Sequence, residues 1–420
     1  MIIFFSTVYP YPKDNGKKII LSSMLEFFIA KYGAENILYV IIGSEEPLAS
    51  STDINVVHIK DVNKIYKALN VLVQSFFLRK KSIQEAILYN PQLMKQLKKV
   101  TDNYDPKLVV YDTVRSSQFF EGNYFNNEIE YVYLDDLFSV RYQKMLEAME
   151  NYPDVQLNSL GNFRKFVPKF AQRLVEFNFV NKFLLSFEKK MIYKREVETV
   201  NRFNNILLIS DKESKELRNR TGKDNIYTVR PILYNSQEKY DRDYQGNARF
   251  IFLGALNIPH NDVSICKFIE KNMDNLIKDI PKIQLTIIGK NPSEELKKLV
   301  TRYKENVELL GYVEDLSKLF NESCAMIIPL LFGSGVKLKT LEALSFGLPV
   351  ISTEFGVEGI DVHKDMCIVE NDVEKFPQHM INLIDFRNNE KLSLKSYEFY
   401  WNNYSKEEVY KRYDSIFSRE

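Results

Sequence analysis

The stretch that most constrains this chain is residues 325–360, AMIIPLLFGSGVKLKTLEALSFGLPVISTEFGVEGI. The apolar run 325–328 ends at Pro329, and a loop carrying Gly333, Ser334 and Gly335 follows. Leu338, Leu341, Ala343, Leu344 and Ser345 then recur at helical spacing, with Gly347 and Pro349 as stop signals. Residues 349–352 are apolar and bounded by turn residues, which reads as a short buried strand. The unit is strand, glycine loop, helix, strand.

That order has a chemical use. The first amides of a helix lack intrahelical partners and point, with the helix dipole, at whatever precedes them. Glycines let the backbone close on a phosphate, and Ser334 adds a hydroxyl. Lys337 and Lys339 supply positive charge, and Glu342 lies about one turn beyond Lys339. A carboxylate there is suited to accept bonds from sugar hydroxyls, as an acidic residue does for the ribose in dinucleotide folds. The alternative is a glycine-rich turn with the lysines and Glu342 on a solvated helix face. Two other phosphate motifs are excluded. A P-loop needs glycine before its Lys-Thr pair, and Leu338 stands before Lys339-Thr340. No G-x-G-x-x-G follows the first strand pattern.

At 420 residues the chain accommodates two domains. A net charge of +1 argues against a dedicated nucleic-acid binder. Cys266, Cys324 and Cys367 are widely spaced, and the first two lie in apolar runs, which predicts buried thiols and fits a cytoplasmic protein. His58, His260, His363 and His379 lack metal-ligand spacing, so no metal site is expected. MIIFFSTVYPYP reads as a first strand rather than a signal peptide. No apolar run approaches the roughly 18 residues of a membrane-spanning helix.

The chain opens βαβ: a strand at 2–8, a turn-rich loop ending at Gly16, a helix at 19–31 and a strand at 37–42. Further strands are expected at 56–59, 108–112, 131–134 and 206–210. The pattern restarts at 249, with strands at 250–252, 285–288, 307–309, 325–328 and 350–352. Polar residues 235–247 read as the linker. This gives two doubly wound α/β domains, 1–234 and 248–394, with ligand expected at the carboxyl ends of strands. The aromatic segment 395–420 reads as one docking helix that returns to the first domain. Residues 163–203 interleave Phe with Lys and Arg, with two readings: a cationic amphipathic surface for anionic lipid or a lipid-phosphate substrate, or a packed helix pair with a solvated basic face.

Four segments in order carry a family resemblance. Phe252-Leu253-Gly254 with Pro259-His260-Asn261 resembles an FxG…PN segment. Leu285 to Lys290 resembles a V-I-G strand and loop, Val307 to Leu316 a V-x-F-x-G-x-V-x-D-L loop, and the fourth is the stretch ending Gly356, Glu358, Gly359. Together they resemble the GT-B-fold glycosyltransferases of family 4, the group 1 retaining transferases, in their GSG-type subgroup. Tyr11-Pro12 with Gly16, 207–211 and Tyr133-Leu134-Asp135-Asp136 with Ser139 and Arg141 match more loosely.

The resemblance implies a fold of two Rossmann-like domains and a metal-independent, retaining sugar transfer. The donor would be a nucleotide-diphosphate sugar, UDP- or GDP-linked, as substrate with no bound cofactor. The acceptor would be a glycan, lipid-linked glycan or other cell-envelope molecule; peripheral contact with the inner face of the membrane is expected only on the first of the two readings of residues 163–203. Lys337, Glu342 and Ser334 are the implied catalytic set. Gly16, Gly289, Lys290, Gly311, Tyr312, Val313, Gly335, Val336 and Lys339 complete the implied donor site. Two departures stand out: Ser334 occupies the position of a family glutamate, and Ala255–Asn261 lacks the Arg/Lys pair of many members. Lys337 or Arg230 is expected to compensate for the second. Asp135, Asp136 and Arg141 read equally as loop charges or as an acceptor site. The serine also leaves room for a second reading, a catalytically silent subunit that binds a partner transferase or a glycan.

Overall fold

The structure, a computed structural model, describes residues 1–43, 53–60, 64–102, 104–121, 124–125, 129–153, 178–233, 236, 239–363 and 365–418. The chain divides into two compact units. The first comprises Met1–Glu147, Asn158–Ile232 and Val409–Glu420, the second Ala148–Leu157 and Leu233–Glu408.

The first unit is built on β1 (Ile2–Ser6), β2 (Ile37–Ile42), β3 (Asn55–Ile59), β4 (Leu108–Asp112), β5 (Glu130–Asp135), β6 (Asn205–Leu208) and β7 (Ile226–Thr228). They form one parallel sheet in the order β3-β2-β1-β4-β5-β6-β7, so the winding direction reverses between β1 and β4. Near-continuous apolar strands such as Ile37–Ile42 suit a parallel sheet buried on both faces. The opening helix runs from Gly16 to Tyr32, starting three residues before the apolar pattern because Asn15 caps it through the Lys18 amide. Its Ile20, Met24, Phe27 and Phe28 pack on Ile2, Phe4 and Tyr39.

The long helix of this unit spans Asn178–Arg202; the expected stretch 163–177 lies outside the described residues. Its cations are not all on a solvated face. Arg195 is buried, pairs with Glu85 at 2.9 Å, and also bonds Glu121 and Glu198. Glu188 accepts the amides of Ile83 at 2.6 Å and Gln84 at 3.2 Å, capping a neighbouring helix.

The second unit holds β8 (Arg249–Leu253), β9 (Gln284–Ile288), β10 (Val307–Leu310), β11 (Ala325–Ile328), β12 (Val350–Ser352) and β13 (Ile368–Val369), parallel in the order β10-β9-β8-β11-β12-β13. Alternate residues serve two layers. Phe250, Phe252, Ala325 and Ile327 face the helices Pro259–Asp279 and Phe376–Ile384, while Ile251, Met326 and Ile328 face Leu338–Ser345 and Phe386–Tyr404. Cys266, Cys324 and Cys367 are buried thiols. The winding reverses between β8 and β11, which is where an open α/β sheet leaves a crevice at its carboxyl edge.

The aromatic C-terminal segment is two helices rather than one. Phe386–Tyr404 packs in the second unit, the chain breaks at Ser405, and Lys406–Phe417 follows. From Val409 onward the residues belong to the first unit, where Val409, Tyr413, Ile416 and Phe417 join its core. No helix of the described residues is long and apolar enough to cross a membrane.

Candidate functional site

At the switch point of the second sheet, β11 delivers residues 329–337 directly into the crevice. The Leu331 amide donates to Ser264 Oγ at 3.0 Å, fixing the loop's first half. Gly333 and Gly335 have φ of 144° and 80°, backbone that side chains disfavour. Lys337 is the residue before the helix Leu338–Ser345, and its side chain does not cap that helix. Instead its Nζ donates to the carbonyls of Ser334 at 2.6 Å and Gly335 at 2.7 Å, folding the loop onto itself. Thr340 Oγ1 donates to the Gly356 carbonyl at 2.5 Å, tying the helix start to the loop after β12. A Cβ on Gly356 would fall 2.2 Å from Ser352 Oγ and 2.5 Å from Ile328 Cγ2, so that approach requires glycine.

The ends of β8, β9 and β10 are braced by their own backbone. The Gly254 amide donates to Ile288 at 3.0 Å, and the Gly289 amide reaches the carbonyls of Leu310 and Gly311, each at 3.1 Å. A Cβ on Gly289 would sit 2.0 Å from the Gly254 carbonyl oxygen. The helix Pro259–Asp279 then starts beside β8 with proline in its first turn. Asn261 Nδ2 donates to the Ala255 carbonyl at 3.0 Å, and its Oδ1 accepts from Lys339 Nζ at 2.9 Å. Lys339 Nζ lies 4.8 Å from the centre of the Phe252 ring.

Two cations and an imidazole therefore share the crevice. Burial, and then the Lys337 charge, bring the Lys339 ammonium down to about 7. Burial, then Lys337 and Lys339, push His260 down to about 3, so its ring is neutral at physiological pH. That ring stands edge-on to Phe332, centroids 6.4 Å apart. Cations beside a helix start in a buried crevice suit a ligand with concentrated negative charge.

Residues 247–385 match the family model of the glycosyl transferases group 1. That match lies within the second unit, which is thus similar to the group 1 glycosyltransferases. Over 246 residues it is 31% identical to an uncharacterized 44.6 kDa protein in the cps region of Klebsiella pneumoniae, covering 56% of this chain and 61% of that protein. The chain thus spans less than two thirds of the length of that relative. Among solved structures it is similar to S. aureus TarM, at 12% identity and TM-score 0.63 over 100% of this chain and 99% of that one. It is also similar to Anabaena HepE in complex with UDP-glucose, at 12% identity and TM-score 0.58 over 100% of both chains. At these identities the likeness is one of fold, and the fold is GT-B.

Within the second unit, the structure brings Ser334, Gly335, Val336, Lys337 and Lys339 to the crevice between β8 and β11. Ser334, at the position of the family glutamate, offers its carbonyl to Lys337. Glu342 is half-buried on the same helix, near enough to Tyr400 to add to the burial that keeps that phenol protonated. Lys290 and Tyr312 meet, with Nζ 4.2 Å from the ring centre and Tyr312 69% exposed, while Val313 is half-buried and Gly311 open. Gly16 lies in the other unit, as the first residue of the helix Gly16–Tyr32. Arg230 is there too, paired with Asp211 at 3.1 Å.

The charges at the strand ends of the first unit form a buried set of their own. Lys17 pairs with Asp112 at 2.8 Å, Asp136 with Arg141, and Asp135 accepts from the Tyr133 hydroxyl at 2.8 Å. Thr113 and Asp135 both have positive φ, of 65° and 70°. The sequence reading missed His260, Phe332 and Phe252 as crevice walls. Two signals were available: Phe252, His260 and Asn261 lie in the segment that resembles FxG…PN, and proline at a helix start soon after a strand places residues 260 and 261 at the sheet's carboxyl edge.

Proposed function

We propose that this protein transfers a sugar from a nucleotide-diphosphate donor, UDP- or GDP-linked, to a glycan, lipid-linked glycan or other cell-envelope acceptor, with retention of configuration and without a metal. The observation that carries the reading is the loop of Gly333–Lys337, which sets two lysines and a helix start at the switch point of the second sheet. The amides of Ser334, Gly335 and Val336 would meet the diphosphate or the donor sugar, with Lys337 and Lys339 as charge partners. Glu342 would accept the ribose hydroxyls. The ends of β9 and β10, at Gly289-Lys290 and Gly311–Val313, would hold the base, with the Lys290–Tyr312 pair at its edge. Gly16 of the first unit is assigned to the donor sugar by resemblance.

In this reading the acceptor oxygen attacks the anomeric carbon on the face the leaving group departs from. The bond from that carbon to the phosphate oxygen breaks, the bond to the acceptor oxygen forms, and the acceptor proton passes to the leaving phosphate. The protein's task is then to stabilise charge growing on the diphosphate, which preorganised amides and an ammonium do well. The UDP-glucose complex of HepE supports a uridine donor on the same fold.

Peripheral contact with the inner face of the cell membrane belongs to the same proposal. Leu69, Leu72, Phe77 and Leu78 are exposed in the first unit, followed by Arg79, Lys80 and Lys81, and Phe179 and Phe183 are exposed on the helix whose Phe187 stacks on Phe76. Apolar side chains flanked by cations suit an anionic bilayer surface.

Thermal unfolding of the full chain against UDP, GDP and their sugars tests the reading. A ligand at a hundred times its dissociation constant adds about 2.7 kcal/mol. We expect a raised midpoint with one nucleotide series, lost in Glu342→Ala. No shift with any of them favours the silent partner subunit, which Ser334 in place of a glutamate allows.

A further inference from the structure

Lys337 and Lys339 are two residues apart yet differently engaged. Lys337 Nζ donates to two carbonyls of its own loop, so its charge shapes that loop. Lys339 Nζ crosses to the other wall of the crevice, meeting Asn261 Oδ1 at 2.9 Å above the Phe252 ring. Asn261 is itself fixed. It is 5% exposed, and its backbone amide donates to Ile258 at 2.9 Å. Its side chain packs so closely on Gly254 that a Cβ there would fall 2.8 Å from Asn261 Cγ. Because Nδ2 is committed to the Ala255 carbonyl, Oδ1 must face Lys339, and an amide oxygen there accepts from an ammonium.

Resting on the donor-site reading above, the geometry points to Asn261 as a positioning residue that holds Lys339 charged and aimed at the donor diphosphate, with donor binding coupled to proton uptake by Lys339. No member of the family's Arg/Lys pair is needed at 255–261, because the cation enters from the opposite helix and the Asn on this side orients it.

The surroundings of Lys339 make that coupling visible near neutral pH. Burial and the neighbouring Lys337 leave its ammonium at about 7. His260, one residue before Asn261, is neutral there and adds no titration, and Asp262, one residue after, turns its carboxylate to the Ser293 amide at 3.0 Å. The diphosphate of a nucleotide sugar carries two charges throughout this range. Donor affinity should therefore be close to its maximum below pH 7 and fall toward about tenfold per pH unit above it, as linkage requires when the bound state needs one more proton.

Calorimetric titration of the full chain with UDP-glucose, and with GDP-mannose as the second probe, between pH 6 and 9 tests this. We expect wild type to lose affinity above pH 7, and Lys339→Arg, charged at every pH, to give a flat profile. Asn261→Ala should begin its fall at lower pH, because the ammonium has lost its acceptor, and should leave the profile of Lys339→Arg flat in the double variant. A general loss of stability would weaken binding without moving the midpoint. A flat wild-type profile, or an unmoved midpoint in Asn261→Ala, overturns the role of Asn261. Failure of wild type to bind either probe at any pH, where thermal unfolding shows no nucleotide either, overturns the donor-site reading on which it rests.

Discussion

At the scale of single residues, backbone closeness explains more of the site than side-chain chemistry does. Gly289 could be picked from the sequence as part of a strand-end motif, but not its reason, which is a carbonyl 2.0 Å from where a Cβ would be. Gly311 belongs to the same set of loops yet has nothing within 4 Å of its Cβ position. The two should respond differently. Gly289→Ala is expected to cost about 3 kcal/mol or more, the range of severe overpacking. Gly311→Ala should stay within about 0.5 kcal/mol in chemical denaturation, as an exposed substitution does. Equal effects in the two variants would contradict the bracing described for β8, β9 and β10. Lys337 and Lys339 could be picked out as charges beside a glycine loop, and the structure places both in the crevice at the end of β11. His260 and Asn261 could be named only as members of a segment, and their contacts could not be read, because these depend on which helix lies opposite, and spacing along the chain carries no such information.

At the scale of elements, strands were the most legible part. The central ones are uniformly apolar, and β2, β4, β11 and β12 fall on the boundaries read from the sequence. The edge strands β7 and β13 were missed, being only three and two residues long and held by neighbours rather than by pattern. The break at Ser405 was also hidden, since aromatic residues continue on both sides of it. The last helix packs into the core of the first unit. Phe417 is 6% exposed, with its ring centre 4.9 Å from Phe28 and 5.0 Å from Tyr131. Tyr131 also donates to the Ile416 carbonyl at 3.1 Å, and Tyr413 to that of Arg230. Removing so buried an aromatic costs about 3–5 kcal/mol. Phe417→Ala should therefore lower the unfolding midpoint of the first unit, and an unchanged midpoint would mean the last helix is an appendage.

At the scale of the whole molecule, two parallel sheets with reversed winding place their crevices at carboxyl edges, which is why one glycine loop could be read so far. Phe179 and Phe183 fall in the stretch for which a lipid-facing surface was one of two readings, whereas Leu69, Leu72, Phe77 and Leu78 were not legible, because Phe and Leu in a helix pattern normally mean core. In flotation with vesicles of phosphatidylglycerol and phosphatidylcholine, we expect binding that rises with the anionic fraction and weakens with salt. Phe77→Ser with Phe179→Ser should reduce it several-fold, and no binding to anionic vesicles would remove membrane contact from the proposal. The central claim is the nucleotide site, and direct titration of wild type and Glu342→Ala with UDP and GDP tests it most plainly. The account predicts saturable binding of one nucleotide by wild type, weakened at least about tenfold in the variant, the equivalent of about 1.4 kcal/mol. Equal affinity in the two proteins would contradict it.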